Sequence, residues 1–177
     1  MSGWSADPLP RLGAVATATS GPELAAADRA EIGDLLARYC FALDGRDWEA
    51  LRDVFAADAG ITYSGGRVST GIDQIVTFMR TTASAVAVTQ HLLHTSLVRA
   101  TGPDTAAGRT HVTAHHVGYD VALPAAEALT YTVTGTYDDR FTRTPAGWRI
   151  SERTLTLLTS AGDAAILRSP LKTRADS

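Results

Sequence analysis

The chain has 177 residues, with 16 Lys+Arg against 19 Asp+Glu and a formal net charge of −3. That length fits one domain around one core, and a composition of 45% hydrophobic and 20% charged residues excludes disorder along the whole length. The near-neutral, slightly acidic balance carries no electrostatic footprint for nucleic acid or an anionic membrane, so neither partner is expected, and the single Cys40 excludes an internal disulfide.

Residues 1–24 contain Gly3, Pro8, Pro10, Gly13, Gly21 and Pro22 with no apolar period, which predicts a flexible arm. The working domain is expected over 25–160, followed by a tail over 161–177 that mixes Gly162, Pro170 and several charges. No run of about 18 apolar residues is present, and the N-terminus lacks a signal-peptide pattern, so the expectation is a cytoplasmic protein.

From Ala25 to Asp44 the apolar residues Ile32, Leu35, Leu36, Tyr39, Cys40 and Leu43 step by three and four, the signature of one helix face. Gly45 ends that helix. Asp47, a plausible N-cap, then opens a short second helix through Trp48, Leu51, Val54 and Phe55. Gly60 to Tyr63 reads as a short strand that runs into the Gly65-Gly66 turn, and Thr70 to Thr82 reads as a third helix capped by Thr70 or Asp73.

Beyond about Ala85 the period becomes two. Residues 88–99, 105–121, 128–143 and 147–159 form four strands rich in Val, Thr, Tyr and Leu, with turns at Gly102-Pro103, Pro124 and Pro145-Ala146-Gly147. Helices followed by a run of antiparallel strands predict an α+β fold in which helices cover one face of a curved sheet. The concave end of such a sheet is a natural place for a small-molecule site.

Some polar residues fall where the pattern would bury them. Asp44 lies four residues after Cys40 and eight after Leu36, so it continues the apolar stripe, and a carboxylate there needs partners. In strand 105–121 the even positions Ala106, Gly108, Thr110, Val112 and Ala114 form the apolar face, which turns His116 inward and His111 and His115 outward. If Asp44 and His116 meet, the carboxylate can hold one imidazole nitrogen and fix the tautomer of a general base. His91 and His94 lie on opposite faces of their strand, and alternation alone leaves open which is inside. Tyr63 could present its hydroxyl to the same cavity. The odd face of strand 128–143, with Tyr131, Val133, Gly135, Tyr137 and Phe141, is a pocket wall, while its threonine-rich even face with Asp138 and Arg140 looks solvated or subunit-facing. Trp148 is most economically a core or hairpin-anchoring aromatic. There is no nucleotide-binding glycine motif and no GxSxG, and the adjacent His115-His116 pair cannot place both rings on one metal from a regular strand, so no metal or cofactor is expected.

The run Arg38-Tyr39-Cys40-Phe41-Ala42-Leu43-Asp44-Gly45-Arg46-Asp47-Trp48, the triplet Thr89-Gln90-His91 and the closing Gly147-Trp148-Arg149-Ile150 resemble the SnoaL-like group of the nuclear transport factor 2 superfamily over about 28–158. Within it the chain is most similar to scytalone dehydratase and related dehydratases and cyclases. The resemblance implies a cone, a curved antiparallel sheet wrapped around N-terminal helices. It also implies a catalytic set of Asp44, Tyr63, His91 and His116, and it departs from the family at Leu43, where a tyrosine is expected, and at Gly135 and Tyr137.

The expectation is a cofactor-independent dehydratase of a small hydrophobic hydroxyketone or polyketide-like substrate. In it His116, oriented by Asp44, removes a proton α to the carbonyl, while Tyr63 and His91 polarise the carbonyl oxygen. Tyr39, Leu43, Tyr131, Tyr137 and Phe141 are expected to contact substrate. A cyclase or isomerase on the same residues is the nearest alternative, and a non-catalytic binding or assembly subunit is the alternative of another class. The open outer face of the sheet, with Arg109, Arg140 and Arg149, predicts a homo-oligomer, a dimer or trimer.

Overall fold

The computed structural model describes residues 21–63, 66–119 and 129–168. Helix α1 (Ala26–Asp44) buries Ile32, Leu35, Leu36, Tyr39, Cys40, Ala42 and Leu43, the stripe that the three-and-four spacing selects. It ends at Gly45. Helix α2 (Trp48–Arg52) is capped by Asp47, whose carboxylate accepts the Ala50 N–H at 2.9 Å.

The second helix is shorter than the pattern predicts. Val54 and Phe55 leave it because the sheet offers them better partners: the Val54 carbonyl accepts the Ile150 N–H at 3.0 Å, and Phe55, 3% exposed, pairs with Ile150. Strand β1 (Phe55–Tyr63) therefore begins five residues before the predicted Gly60, with a register irregularity between Phe55 and Gly60 that breaks the alternation a reader would look for. Strand β2 (Arg67–Thr70) pairs antiparallel with it. Helix α3 (Ile72–Ser84) is entered through Gly71 at φ +85°, a conformation that favours glycine, and neither predicted cap is used. The Asp73 carboxylate instead accepts Arg52 at 2.7 Å.

Four long strands follow: β3 (Val88–Gly102), β4 (Thr105–Val117), β5 (Thr130–Thr144) and β6 (Gly147–Gly162). They form one sheet in the order β2-β1-β6-β5-β4-β3, antiparallel throughout except that β1 runs parallel to β6. The α+β architecture is thus the expected one, with a single parallel pairing added. The predicted turn at Pro124 lies outside the described residues. Bulges in β3, between Leu93 and Ser96, and in β6, at Ser151 opposite Arg140 and Phe141, bend the long strands. Helix α1 packs on β3 and β6, and α3 packs on β1, so the core lies between helices and the concave sheet face.

Both ends of the described chain touch this core. The Pro22 carbonyl accepts the Ala100 N–H at 3.1 Å and Leu24, placed in the arm by the composition, is buried. At the other end a 3-10 turn (Ala164–Arg168) buries Ile166. Trp148 is fully buried, donates its ring N–H to Asp28 at 3.2 Å, and carries the Arg143 guanidinium 4.6 Å above its ring. That is the hairpin anchor the sequence suggests.

The charged pair at the centre of the sheet has no counterpart in the sequence reading. Asp139 on β5 and Arg153 on β6 are direct cross-strand neighbours with side chains 1% exposed, joined by Nε–Oδ1 at 2.7 Å and Nη2–Oδ2 at 2.8 Å. Removing one partner strands a charge in the core. Arg153→Met or Asp139→Ala should each cost about 3–5 kcal/mol of stability, and the double variant Arg153→Met/Asp139→Leu should cost less than either. Urea denaturation of the three proteins checks this ordering.

Candidate active site

Asp44 is the last residue of α1, and the helix phase that buries Leu36 and Cys40 aims its carboxylate at β3. Its Oδ1 lies 2.7 Å from His91 Nδ1, and its Oδ2 accepts the His91 backbone N–H at 2.8 Å. An ionised carboxylate only accepts, so this contact assigns the ring proton to Nδ1 and leaves Nε2 as an acceptor. His91 is therefore the inward histidine of its strand. His94 is exposed, with Nε2 2.9 Å from the Thr113 hydroxyl.

His116 also points inward, as the even face of β4 predicts, but Asp44 does not hold it. The partner of His116 is Thr89, directly opposite on β3, with Nδ1 and Oγ1 3.0 Å apart. The reason is sheet order: α1 ends over β3, the edge strand, and β4 lies one strand further in. The expected Asp44–His116 dyad is corrected to Asp44–His91. The two imidazoles still meet, edge to face at 6.1 Å between centroids, and Tyr131 stacks on His116 at 6.3 Å.

These rings border a cavity of about 220 Å³. Tyr39, Leu43, Tyr63, Tyr131 and Tyr137 line it as expected, together with Phe78, Met79, Thr89, Val112 and Leu157. Phe141 does not. It is 2% exposed and lies past the level of the β6 bulge in the packed core, paired with Ala106 and Ile150 away from the histidines. Tyr63 donates its hydroxyl to the Met79 sulfur at 3.4 Å, and its ring meets that of Phe78 at a tilt of 49° with centroids 4.8 Å apart. Among the described lining residues no Lys, Arg, Asp or Glu appears. Asp44 stands behind His91 and lines a separate outer groove of about 550 Å³ between α1 and β3, a space that His91 also borders.

Burial sets the protonation of this interior. It pushes Tyr63 and Tyr137 well above the usual tyrosine value, and it pushes the Cys40 thiol up to about 12, which rules out a ready thiolate there. His116 is lowered to about 4, first by burial and then by the neighbouring His91 and His115. It is a neutral ring at neutral pH. Thr89 was not singled out from sequence as a partner, although it shares the inward phase of His91 two residues away.

The chain matches the model of the SnoaL-like domain over residues 25–154. It belongs to that family. An uncharacterized protein of Mycobacterium tuberculosis is 35% identical over 131 residues, covering 71% of this chain and 82% of the relative. A Novosphingobium aromaticivorans structure provisionally named as an aromatic ring hydroxylase superposes with a TM-score of 0.72 at 28% identity, covering 82% of this chain and 99% of that one. Another from the same organism, provisionally named as a scytalone dehydratase, shares the fold with a TM-score of 0.68 at 20% identity, covering 77% of this chain and 88% of that one.

The lowered His116 value has a thermodynamic consequence. Between the ordinary histidine value of 6.5 and about 4, the unfolded chain binds a proton at this residue that the folded chain does not. The contribution is complete above about 6.5, and stability is lost as the pH falls toward about 4. Denaturant midpoints of wild type and His116→Gln, compared at neutral pH and near pH 5, should show the larger acid loss in wild type. Equal losses would contradict the assignment.

Proposed function

We propose that this SnoaL-like chain is a cofactor-independent lyase that removes water from a small, neutral, largely apolar β-hydroxyketone of polyketide type. The observation that carries the reading is the Asp44–His91 pair at the wall of an apolar cavity, with an acceptor nitrogen left free on His91. A filled cone would suit a purely structural subunit. An open cavity with an oriented base suits proton abstraction.

In the proposed cycle His91 Nε2 takes the proton α to the substrate carbonyl, and the C–H electron pair moves onto the carbonyl oxygen as an enolate. Asp44 faces the positive charge that the ring acquires, which is the role of the carboxylate in such dyads. The neutral His116, bonded to Thr89, sits 6.1 Å from His91 and is placed to hydrogen-bond the enolate or the departing hydroxyl. A second cation beside imidazolium His91 is disfavoured, so His116 polarises without charging. The enolate then collapses, the C=C bond forms as the C–O bond breaks, and His91 returns its proton to the leaving hydroxyl as water. The products are an enone, water and the starting enzyme. The lining favours an uncharged substrate, because among the described lining residues no side chain of fixed charge is available to pair with an ionic one. The Tyr63 hydroxyl, occupied by a thioether, is the more easily recruited to a substrate oxygen because that bond is weak.

Screening hydroxyketones for loss of water by mass spectrometry tests the reaction. On an accepted substrate, His91→Ala should lower turnover by about 10²–10⁴-fold, with Asp44→Asn close behind and Tyr63→Phe the mildest. A folded His91→Ala protein with near-wild-type turnover would overturn the scheme. The reading includes a cytoplasmic homo-oligomer, a dimer or trimer covering the outer sheet face where Arg109 pairs with Asp138 and Arg140 with Glu152. Sedimentation at micromolar concentration should show more than one copy. Among the described residues no helix is long and apolar enough to cross a membrane.

A further inference from the structure

The loop that follows Asp44 contains a residue whose backbone is in a conformation its side chain does not favour. Arg46 sits at φ +58°, among the described residues the one non-glycine with positive φ, although Gly45 beside it could take that angle at little cost. Such strain persists where surrounding contacts over-determine it. Here the contacts are of two kinds: the turn that closes α1, in which the Arg46 N–H donates to the Leu43 carbonyl at 3.2 Å and the Asp47 N–H to the Ala42 carbonyl at 2.8 Å, and those of the guanidinium. Arg46 Nη2 lies 3.3 Å from the Ala83 carbonyl oxygen, 2.5 Å from that of Val86 and 3.1 Å from that of Ala87, so its two N–H groups serve three acceptors.

Those carbonyls mark the end of α3 and the start of β3. The terminus of α3 carries the negative end of its dipole, a natural seat for a cation, and the Ala83 carbonyl there also accepts the Val86 N–H at 3.4 Å. Ala87 is followed within four residues by Thr89 and His91, and its own N–H is donated to Val117 at 2.8 Å, next to His116. A closed circuit results. It runs from Asp44 two residues along the chain to Arg46, across the guanidinium to Ala87, along β3 to His91, and back through two hydrogen bonds to Asp44.

We propose that Arg46 is a positioning residue that fixes the Asp44 carboxylate against His91 by tying the end of α1 to the start of β3. It touches neither cavity nor substrate. The geometric part stands on the contacts above, and its consequence for turnover rests on the proposed role of His91 as base. Glycine suits the left-handed position that closes α1 at least as well as arginine, so Arg46→Gly removes the latch and keeps the turn, and any loss of function it causes cannot come from new backbone strain.

The test uses Arg46→Gly, Arg46→Lys and Arg46→Met. Proton NMR of the full chain should show the His91 Nδ1–H far downfield and slowly exchanging in wild type, because a carboxylate holds it. Exchange should accelerate by about tenfold or more in Arg46→Gly and Arg46→Met, and Arg46→Lys, whose ammonium can reach the same carbonyls, should recover most of the protection. On an accepted substrate the Gly and Met variants should lose about tenfold or more in kcat with KM nearly unchanged, since a base displaced by a fraction of an ångström fails in the transition state. Folded Gly and Met variants with wild-type exchange would overturn the proposal, as would a lysine variant no better than methionine. Faster exchange with unchanged turnover would support the positioning role and instead overturn His91 as the base.

Discussion

The cavity depends on a buried charge. Arg153 lies in the corner formed by the perpendicular rings of Tyr39 and Tyr137, 4.2 and 4.0 Å from their centroids, with Phe55 at 5.9 Å. Burial works against the charged guanidinium, and Asp139 across the β5–β6 ladder outweighs it. The pair is not an obvious source of net stability, because desolvating two ions offsets much of their attraction, and Arg153 Nη1 stays buried without a partner. What it supplies is geometry. A planar cation held by two parallel hydrogen bonds fixes the two rings that flank it, and both rings line the cavity. Tyr39 then meets His91 edge-on at 6.1 Å, so the position of that imidazole is inherited from the ion pair through one tyrosine.

The same dryness that makes the ion pair expensive determines what the interior can do. Tyr39, Tyr63 and Tyr137 are all held in the neutral form by burial, and His116 is held neutral from the other direction. Such groups can donate or accept hydrogen bonds but resist becoming ions. His91 differs in its contacts, because a carboxylate stands behind it. A cavity of neutral hydrogen-bonding groups beside one carboxylate-bonded imidazole is the arrangement on which the proposed proton transfer at a single nitrogen rests.

Periodicity made much of this legible. The three-and-four spacing from Ile32 to Leu43 places Asp44 on the buried face, and alternation in β4 places His116 there, because both are local consequences of backbone geometry. Which of two inward histidines the carboxylate meets is not local. It depends on β3 being the edge strand beneath α1, and sheet order is decided by contacts far apart in the chain. Register irregularities hid other features. The break between Phe55 and Gly60 conceals the start of β1, and Phe141, opposite the bulge in β6, keeps its inward phase but falls in the packed core. Asp139 and Arg153 escaped because a charge in a threonine-rich strand reads as solvated, and each is explicable only once the other is opposite it.

The placement of Asp44 completes the argument about division of labour. His91 borders both the cavity and the outer groove, whereas its carboxylate partner borders only the groove and keeps its side chain 22% exposed. Water can therefore solvate one edge of the carboxylate without entering the space where an enolate would form. A carboxylate sealed in the core needs a buried cation, as Asp139 needs Arg153. Placing Asp44 at the wall between a dry compartment and a wet one gives it water on one edge and His91 on the other without such a counter-charge. This explains why the carboxylate that the helix phase singles out lies at the end of a helix, where the apolar stripe runs out to the surface.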